Sequence, residues 1–132
     1  MYEIVQHTAD LRLNVAAETL ADLFRESLRA MTESMQPDEI ESDARRTISV
    51  DAPDRTALLI DFLNEVLWIG HVHHEVFDRV EFHELTDTHV EAEVSGYRVA
   101  AFGEDIKAAT YHEADVVPTE GGGWRTTLVF DI

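Results

Sequence analysis

The stretch 54–70, DRTALLIDFLNEVLWIG, reads as a helix with two unlike sides. Leu58, Leu59, Phe62, Leu63, Val66 and Leu67 recur at three- and four-residue spacing and make an apolar stripe, with Asp54 as N-cap and Gly70 as the closing residue. On an ideal wheel of about 3.6 residues per turn, Asp61, Asn64 and Trp68 gather on the other side. A tryptophan placed beside Asp and Asn exceeds what solubility asks for, so this side is a candidate partner contact. The segment Asp61-Phe62-Leu63-Asn64 could equally support a neighbouring strand.

An apolar helix stripe needs a sheet to cover, and the flanking sequence supplies strands. Downstream, Arg79 to Leu85 and Thr88 to Ser95 alternate about the polar turn Thr86-Asp87, with Val80 and Phe82 facing Val90, Ala92 and Val94. Gly96 to Gly103 reads as an irregular connector. Ile106 to Val117 and Trp124 to Asp131 then read as a second hairpin around the turn 118–123, with Trp124, Thr126, Leu128 and Phe130 on one face. Upstream, Arg46 to Asp51 reads as a strand and the acidic stretch 36–45 as a loop. Thr19 to Met35 reads as a helix capped by Thr19, with Leu20, Leu23, Phe24, Leu28 and Met31 on its stripe. Tyr2 to Gln6 and Leu11 to Val15 read as strands joined by the turn His7-Thr8-Ala9-Asp10. This order predicts an α+β class: largely antiparallel sheets with two helices packed on one face, layered α/β/β, in a single domain over 1–132. A chain of this length buries about two-thirds of its unfolded surface and needs no staple.

Composition removes whole classes of function. The chain has no cysteine, which excludes disulfides, thiolate metal sites and thiol nucleophiles. Its formal charge is -17, from 27 acidic against 10 basic residues. That opposes direct binding of nucleic acid, which depends on Lys and Arg displacing phosphate counterions. There is no signal pattern and no apolar run near the roughly 20 residues of a membrane span, so a soluble, cytoplasmic protein is expected. Gly121 to Gly123 lack the strand-to-helix setting of a phosphate loop, and no Gly-x-Ser-x-Gly is present. No catalytic residue is assigned. His71-Val72-His73-His74, placed just after the helix, invite a zinc site. The helix dipole accounts for histidines there more simply, and an extended chain would point His73 and His74 apart.

Two places retain chemistry. Asp10 lies at a strand end, and Asp131-Ile132 bring a second carboxylate and the terminal one, the oxygen donors that hard divalent cations take. The solvated-turn explanation of these acids stands beside the metal one. Lys107, Tyr111 and His112 share one strand-like stretch, with Lys107, Ala109 and Tyr111 expected on one face and Ile106, Ala108, Thr110 and His112 on the other.

Four segments, His7-Thr8-Ala9-Asp10, Leu58 to Glu65, Ile106 to His112 and Phe130-Asp131-Ile132, resemble the archease family in order and spacing, over the whole chain. The resemblance implies a small α+β accessory protein that activates an RtcB-type tRNA-splicing RNA ligase, promoting GTP-dependent guanylylation and multiple turnover while the ligase makes the bond. It implies a divalent-metal site at Asp10, Asp131 and Ile132, with Ca2+ the first choice and Mg2+ or Mn2+ alternatives. His7, Asp61, Asn64, Trp68, Lys107, Tyr111 and His112 become partner-binding or supporting candidates. A chaperone or methylation modulator, and a metal-dependent enzyme using Asp10, Asp131 and a nearby His or Lys107, are the other readings. Two departures from the family pattern stand out: the stretch between Gly96 and Ile106 is short, and Arg12 and Leu13 replace small residues.

Overall fold

The computed structural model describes residues 10–132; the strand expected over Tyr2 to Gln6 and the turn residues His7, Thr8 and Ala9 lie outside it. The elements are β1 (Asp10–Ala17), α1 (Leu20–Ser34), β2 (Pro37–Asp51), α2 (Arg55–His73), β3 (Glu75–Leu85), β4 (His89–Phe102), β5 (Ala108–Thr110), β6 (Val117–Pro118) and β7 (Trp124–Asp131). All strand pairs are antiparallel. One sheet runs β1-β7-β5 with β6 also on β7, and the other runs β2-β4-β3. The α+β class expected from the sequence is the class found.

Both helices start where their caps dictate. Thr19 Oγ1 accepts the Asp22 N–H at 3.1 Å, and Asp54 Oδ1 accepts the Ala57 N–H at 2.8 Å. α1 buries Leu23, Phe24, Leu28 and Met31. It also shields the edge strand β3: Thr32 Oγ1 donates to the Phe77 carbonyl at 2.6 Å and Arg25 Nε to the Val80 carbonyl at 3.4 Å. These bonds occupy groups that an open edge would offer to another chain. α2 is apolar on most of its circumference, burying Ile60 and Ile69 as well as the expected stripe, because it meets β2, β3 and β4 of one sheet and β5 of the other. The rings of Phe24, Phe62 and Phe82, from α1, α2 and β3, lie 5.5 to 6.2 Å apart, with Phe24 and Phe62 fully buried and Phe82 packed against them from the core's margin. No helix among the described residues is long and apolar enough to cross a membrane.

Five expectations are corrected. Gly70 does not close α2, which continues to His73 and ends on His74 in the left-handed region at φ 56°. Gly70 is interior and buried, and a Cβ there would lie 2.5 Å from the Glu75 carbonyl oxygen, so this glycine serves close packing. The histidines 71–74 accordingly do not follow the helix as an extended segment. His71 Nε2 lies 3.4 Å from Asp105 and its ring meets Phe102 edge-on, while His74 stacks on the same Phe102. The acidic stretch 36–45 is strand, pairing Pro37 with Phe102 and Ile40 with Val99. β2 lies at a sheet edge, where charge is what discourages further pairing, and that charge is what makes it read as loop.

Gly96 to Phe102, expected as connector, continues β4. A Cβ at Gly96 would sit 1.9 Å from the Val76 carbonyl oxygen, so the glycine lets β3 and β4 close up beside the register shift between Phe77 and Arg79. The second hairpin is interrupted: β5 and β6 pair with opposite ends of β7, and residues 111–116 leave the ladder between them. Glu113 in this excursion has φ 57°, and the Val116 N–H is held by Thr56 Oγ1 at 2.9 Å. The first hairpin forms as expected, with Val80 opposite Val94 and Phe82 opposite Ala92.

Gly96→Ala is expected to destabilise the protein by at least about 2 kcal/mol, since backbone is the obstructing group and cannot rotate away. A urea melt giving a wild-type midpoint would refute this packing role.

Candidate functional site

The β1·β7 ladder decides which residues meet. Asp10 is the register partner of Asp131, followed by Leu11 with Phe130 and Arg12 with Val129. Directly opposed residues share a face with Cβ atoms about 4.5–5.5 Å apart. Residues 121 positions apart in sequence are thus brought together, with Asp10 and Asp131 both exposed. On the other edge of β7, Ala108 is aligned with Asp131, and the Lys107 N–H donates to the Asp131 carbonyl at 2.8 Å. Ile132 packs against the core, which fixes the main chain beyond Asp131. The corner is an oxygen-only donor set suited to a hard cation; a soft metal would want sulfur or imidazole.

The same face is fenced by Arg12, whose guanidinium pairs with Glu113 from the excursion 111–116. Val129, opposite Arg12, is only 3% exposed although it points away from the main core. Arg12, one of the departures from the family pattern, therefore holds the excursion across β7. Thr110 Oγ1 donates to the Val129 carbonyl at 2.9 Å and ties the same edge.

α2 supports β5 through side chains. Asn64 Nδ2 donates to the Ala109 carbonyl at 2.9 Å, and the Ala109 N–H donates to Asn64 Oδ1 at 2.7 Å. One amide side chain thereby satisfies both main-chain groups on the open edge of a three-residue strand. Tyr111 donates its hydroxyl to Asp61. That hydrogen bond, with partial burial and the negative charges of Asp61 and Asp54, pushes the phenol up to about 12, so it stays a donor at any physiological pH. Asp61 and Asn64 are therefore engaged within the fold. Trp68 is 62% exposed.

The alternation expected for 106–112 is not what forms. The strand begins only at Ala108; Ile106 and Ala109 are buried, whereas Lys107 and Tyr111 are both exposed. The main chain turns after Thr110, with the Ala114 N–H donating to the Tyr111 carbonyl at 3.1 Å, so period two ends there. His112 is exposed, 3.8 Å from Glu113, and away from the strand face assigned to it. His7 lies outside the described residues.

One cluster was not anticipated. Where β2, β3 and β4 end together, His89 Nδ1 donates to Asp51 at 2.7 Å, and its Nε2 lies 3.3 Å from Glu91 and 3.8 Å from Glu84. The Asp51 hydrogen bond, then Glu91 and the charges of Asp51 and Glu84, raise the imidazole above its ordinary value against the opposing effect of burial. Among the described residues, Glu84, His89 and Glu91 are the group of three whose donor atoms come close enough for one cation. The available signal was the i, i+2 spacing of His89 and Glu91 with Glu84 across a short turn.

Comparison with known proteins places the chain. The sequence model of the Archease protein family (MTH1598/TM1083) matches residues 2–132. Protein archease of Methanosarcina mazei is 29% identical over 140 residues, covering 99% of this chain and 95% of that protein. Protein archease of Pyrococcus abyssi is 27% identical over 145 residues, covering 99% and 98%. Among solved structures, a Thermotoga maritima archease described as a possible chaperone superposes with a TM-score of 0.74 at 19% identity, covering 100% and 98%. Protein 1598 of Methanobacterium thermoautotrophicum gives 0.69 at 24% identity, covering 97% and 96%. At these identities the two structures establish the fold.

Asn64→Ala leaves both Ala109 groups unpaired at the edge and is expected to cost about 2 kcal/mol and to free β5. Hydrogen exchange at Ala109 should accelerate far more than in β4; equal protection in the variant would refute the role. For His89, a folded-state pKa above the unfolded one means stability fully present below the unfolded value and lost as pH rises through the folded value. The melting temperature of wild type minus that of His89→Gln should therefore shrink from pH 6 toward pH 9 (about the imidazole range). A flat difference would refute it.

Proposed function

The chain belongs to the archease family, and from that premise we propose that it is an accessory activator of an RtcB-type RNA ligase, promoting guanylylation and multiple turnover through a divalent cation at Asp10, Asp131 and Ile132. The observation that carries this reading is the register that sets Asp10 against Asp131. Two carboxylates on one face, followed in sequence by the main-chain oxygens of Ile132, are the donor types that suit Ca2+ first and Mg2+ or Mn2+ next. Such a cation supplies positive charge that offsets phosphate charge. The chain's own residues hold the geometry: the Lys107 N–H fixes the Asp131 main chain, and Arg12 with Glu113 closes one side. In this reading bond formation stays with the ligase.

The excess of 27 acidic over 10 basic residues supports a protein partner over RNA itself. It suits the basic cleft that an RNA-joining enzyme needs, where opposite fields speed encounter. A second reading, a chaperone, takes its support from the description of the Thermotoga maritima protein.

Single-turnover guanylylation of the same organism's ligase, with and without this protein, tests the proposal. Wild type is expected to stimulate, and Asp10→Ala and Asp131→Ala to lose both the stimulation and the Ca2+ binding measured by calorimetry. Full stimulation by Asp10→Ala would remove the metal reading. No stimulation by folded wild type, together with suppression of aggregation of a denatured client, would favour the chaperone.

A further inference from the structure

One line of α2 reaches solvent. Asp61, Asn64, Trp68 and Val72 follow at three- and four-residue steps, so they lie along about 16 Å of one helix face. The first two are engaged by Tyr111 and Ala109. Trp68 and Val72 are 62% and 52% exposed, and the Trp68 side chain enters no hydrogen bond or ring contact among the described residues. Tyr111, itself 57% exposed, is kept at the head of the line by its bond to Asp61. The result is a ridge of Tyr111, Trp68 and Val72, bordered by the carboxylates of Asp61 and Glu65. After Arg55, α2 contains no Arg or Lys at all.

We propose that this ridge is the docking surface for a basic protein partner, with Trp68 seated in an apolar slot and the flanking carboxylates meeting its positive charge. This rests on the activator reading, in which the partner is the RNA ligase, and it divides the labour: the ridge binds and the Asp10/Asp131 corner acts. Three observations select that occupant. A protruding aromatic with an acidic border is the arrangement of an interface anchor inside a polar rim. The formal charge of -17 repels polyanions and steers toward a cationic surface. The ridge is also rigidly connected to the corner, because Asn64 grips Ala109 and the neighbouring Ala108 pairs with Asp131. A partner gripping α2 therefore fixes where the two aspartates sit.

The test is surface-immobilised ligase titrated with full-length wild type, Trp68→Ala, Trp68→Phe and Asp10→Ala, each first shown to melt cooperatively. Trp68→Ala is expected to raise Kd about thirtyfold, the size typical of a central aromatic anchor, chiefly through a faster koff. Trp68→Phe should recover most of the affinity. Wild-type kon should fall steeply with added KCl while koff changes little. Asp10→Ala should bind like wild type without stimulating, whereas saturating Trp68→Ala should still stimulate. Binding unaffected by Trp68→Ala, with stimulation by wild type intact, overturns this proposal alone. Failure of wild type to bind the ligase overturns it together with the activator reading. A ligase-free dimer that Trp68→Ala dissociates would assign the ridge to a second copy of the chain and overturn it as well.

Discussion

The pair of hydrogen bonds between the Asn64 side chain and the main chain of Ala109 joins the core to the acidic corner. β5 is three residues long, too short to persist on one ladder, and its far edge would otherwise face water. Asn64 is the second partner that makes it a strand. Because α2 is buried between strands of both sheets, its position has almost no freedom, and it passes that rigidity to β5 and then to Asp131. An Asp or Leu of similar size could not replace it: the aspartate offers no donor to the Ala109 carbonyl, and leucine offers neither donor nor acceptor.

The corner inherits its precision from a second constraint, the alternation of β1 and β7. A slip of one residue would send Leu11, Leu13 and Leu128 outward and turn Asp10 toward the core, at a loss of several buried side chains worth roughly 1.5–3 kcal/mol each. Burial on the inner face thus sets which residues meet on the outer one. That is why an exposed pair of carboxylates, which gains nothing from facing each other, is nevertheless held in place.

The helices, their caps and the first hairpin were legible because each is a local pattern: an apolar stripe with a capping Thr or Asp, or alternation across a polar turn. Asp10 and Asp131 stood out as hard oxygen donors from their residue types, but nothing in the spacing shows residues 10 and 131 to be neighbours. What stayed hidden depends on the partner across the ladder. Residues 36–45 are strand because β4 continues past Gly96 to receive them, and neither half shows this without the other. Gly70 and Gly96 looked like stops, but each is a place where a second backbone comes too close for a Cβ. His89 of β4 meets carboxylates from β2, β3 and its own strand, so no single stretch of sequence displays the cluster.

Charge completes the argument. Eight of the nine arginines have a carboxylate within 4.0 Å, from Arg12 with Glu113 to Arg98 with Glu41. Most of these pairs are exposed and add little stability. Arg46 and Glu75 differ, meeting in a two-point contact at 2.8 and 3.0 Å with the glutamate nearly buried, and they brace β2 to β3 across β4. Among the described residues this pairing offsets most of the arginine charge, and with 27 acidic against 10 basic residues the net charge stays strongly negative. Such a net charge opposes a polyanion such as RNA, whose binding depends on Lys and Arg displacing phosphate counterions.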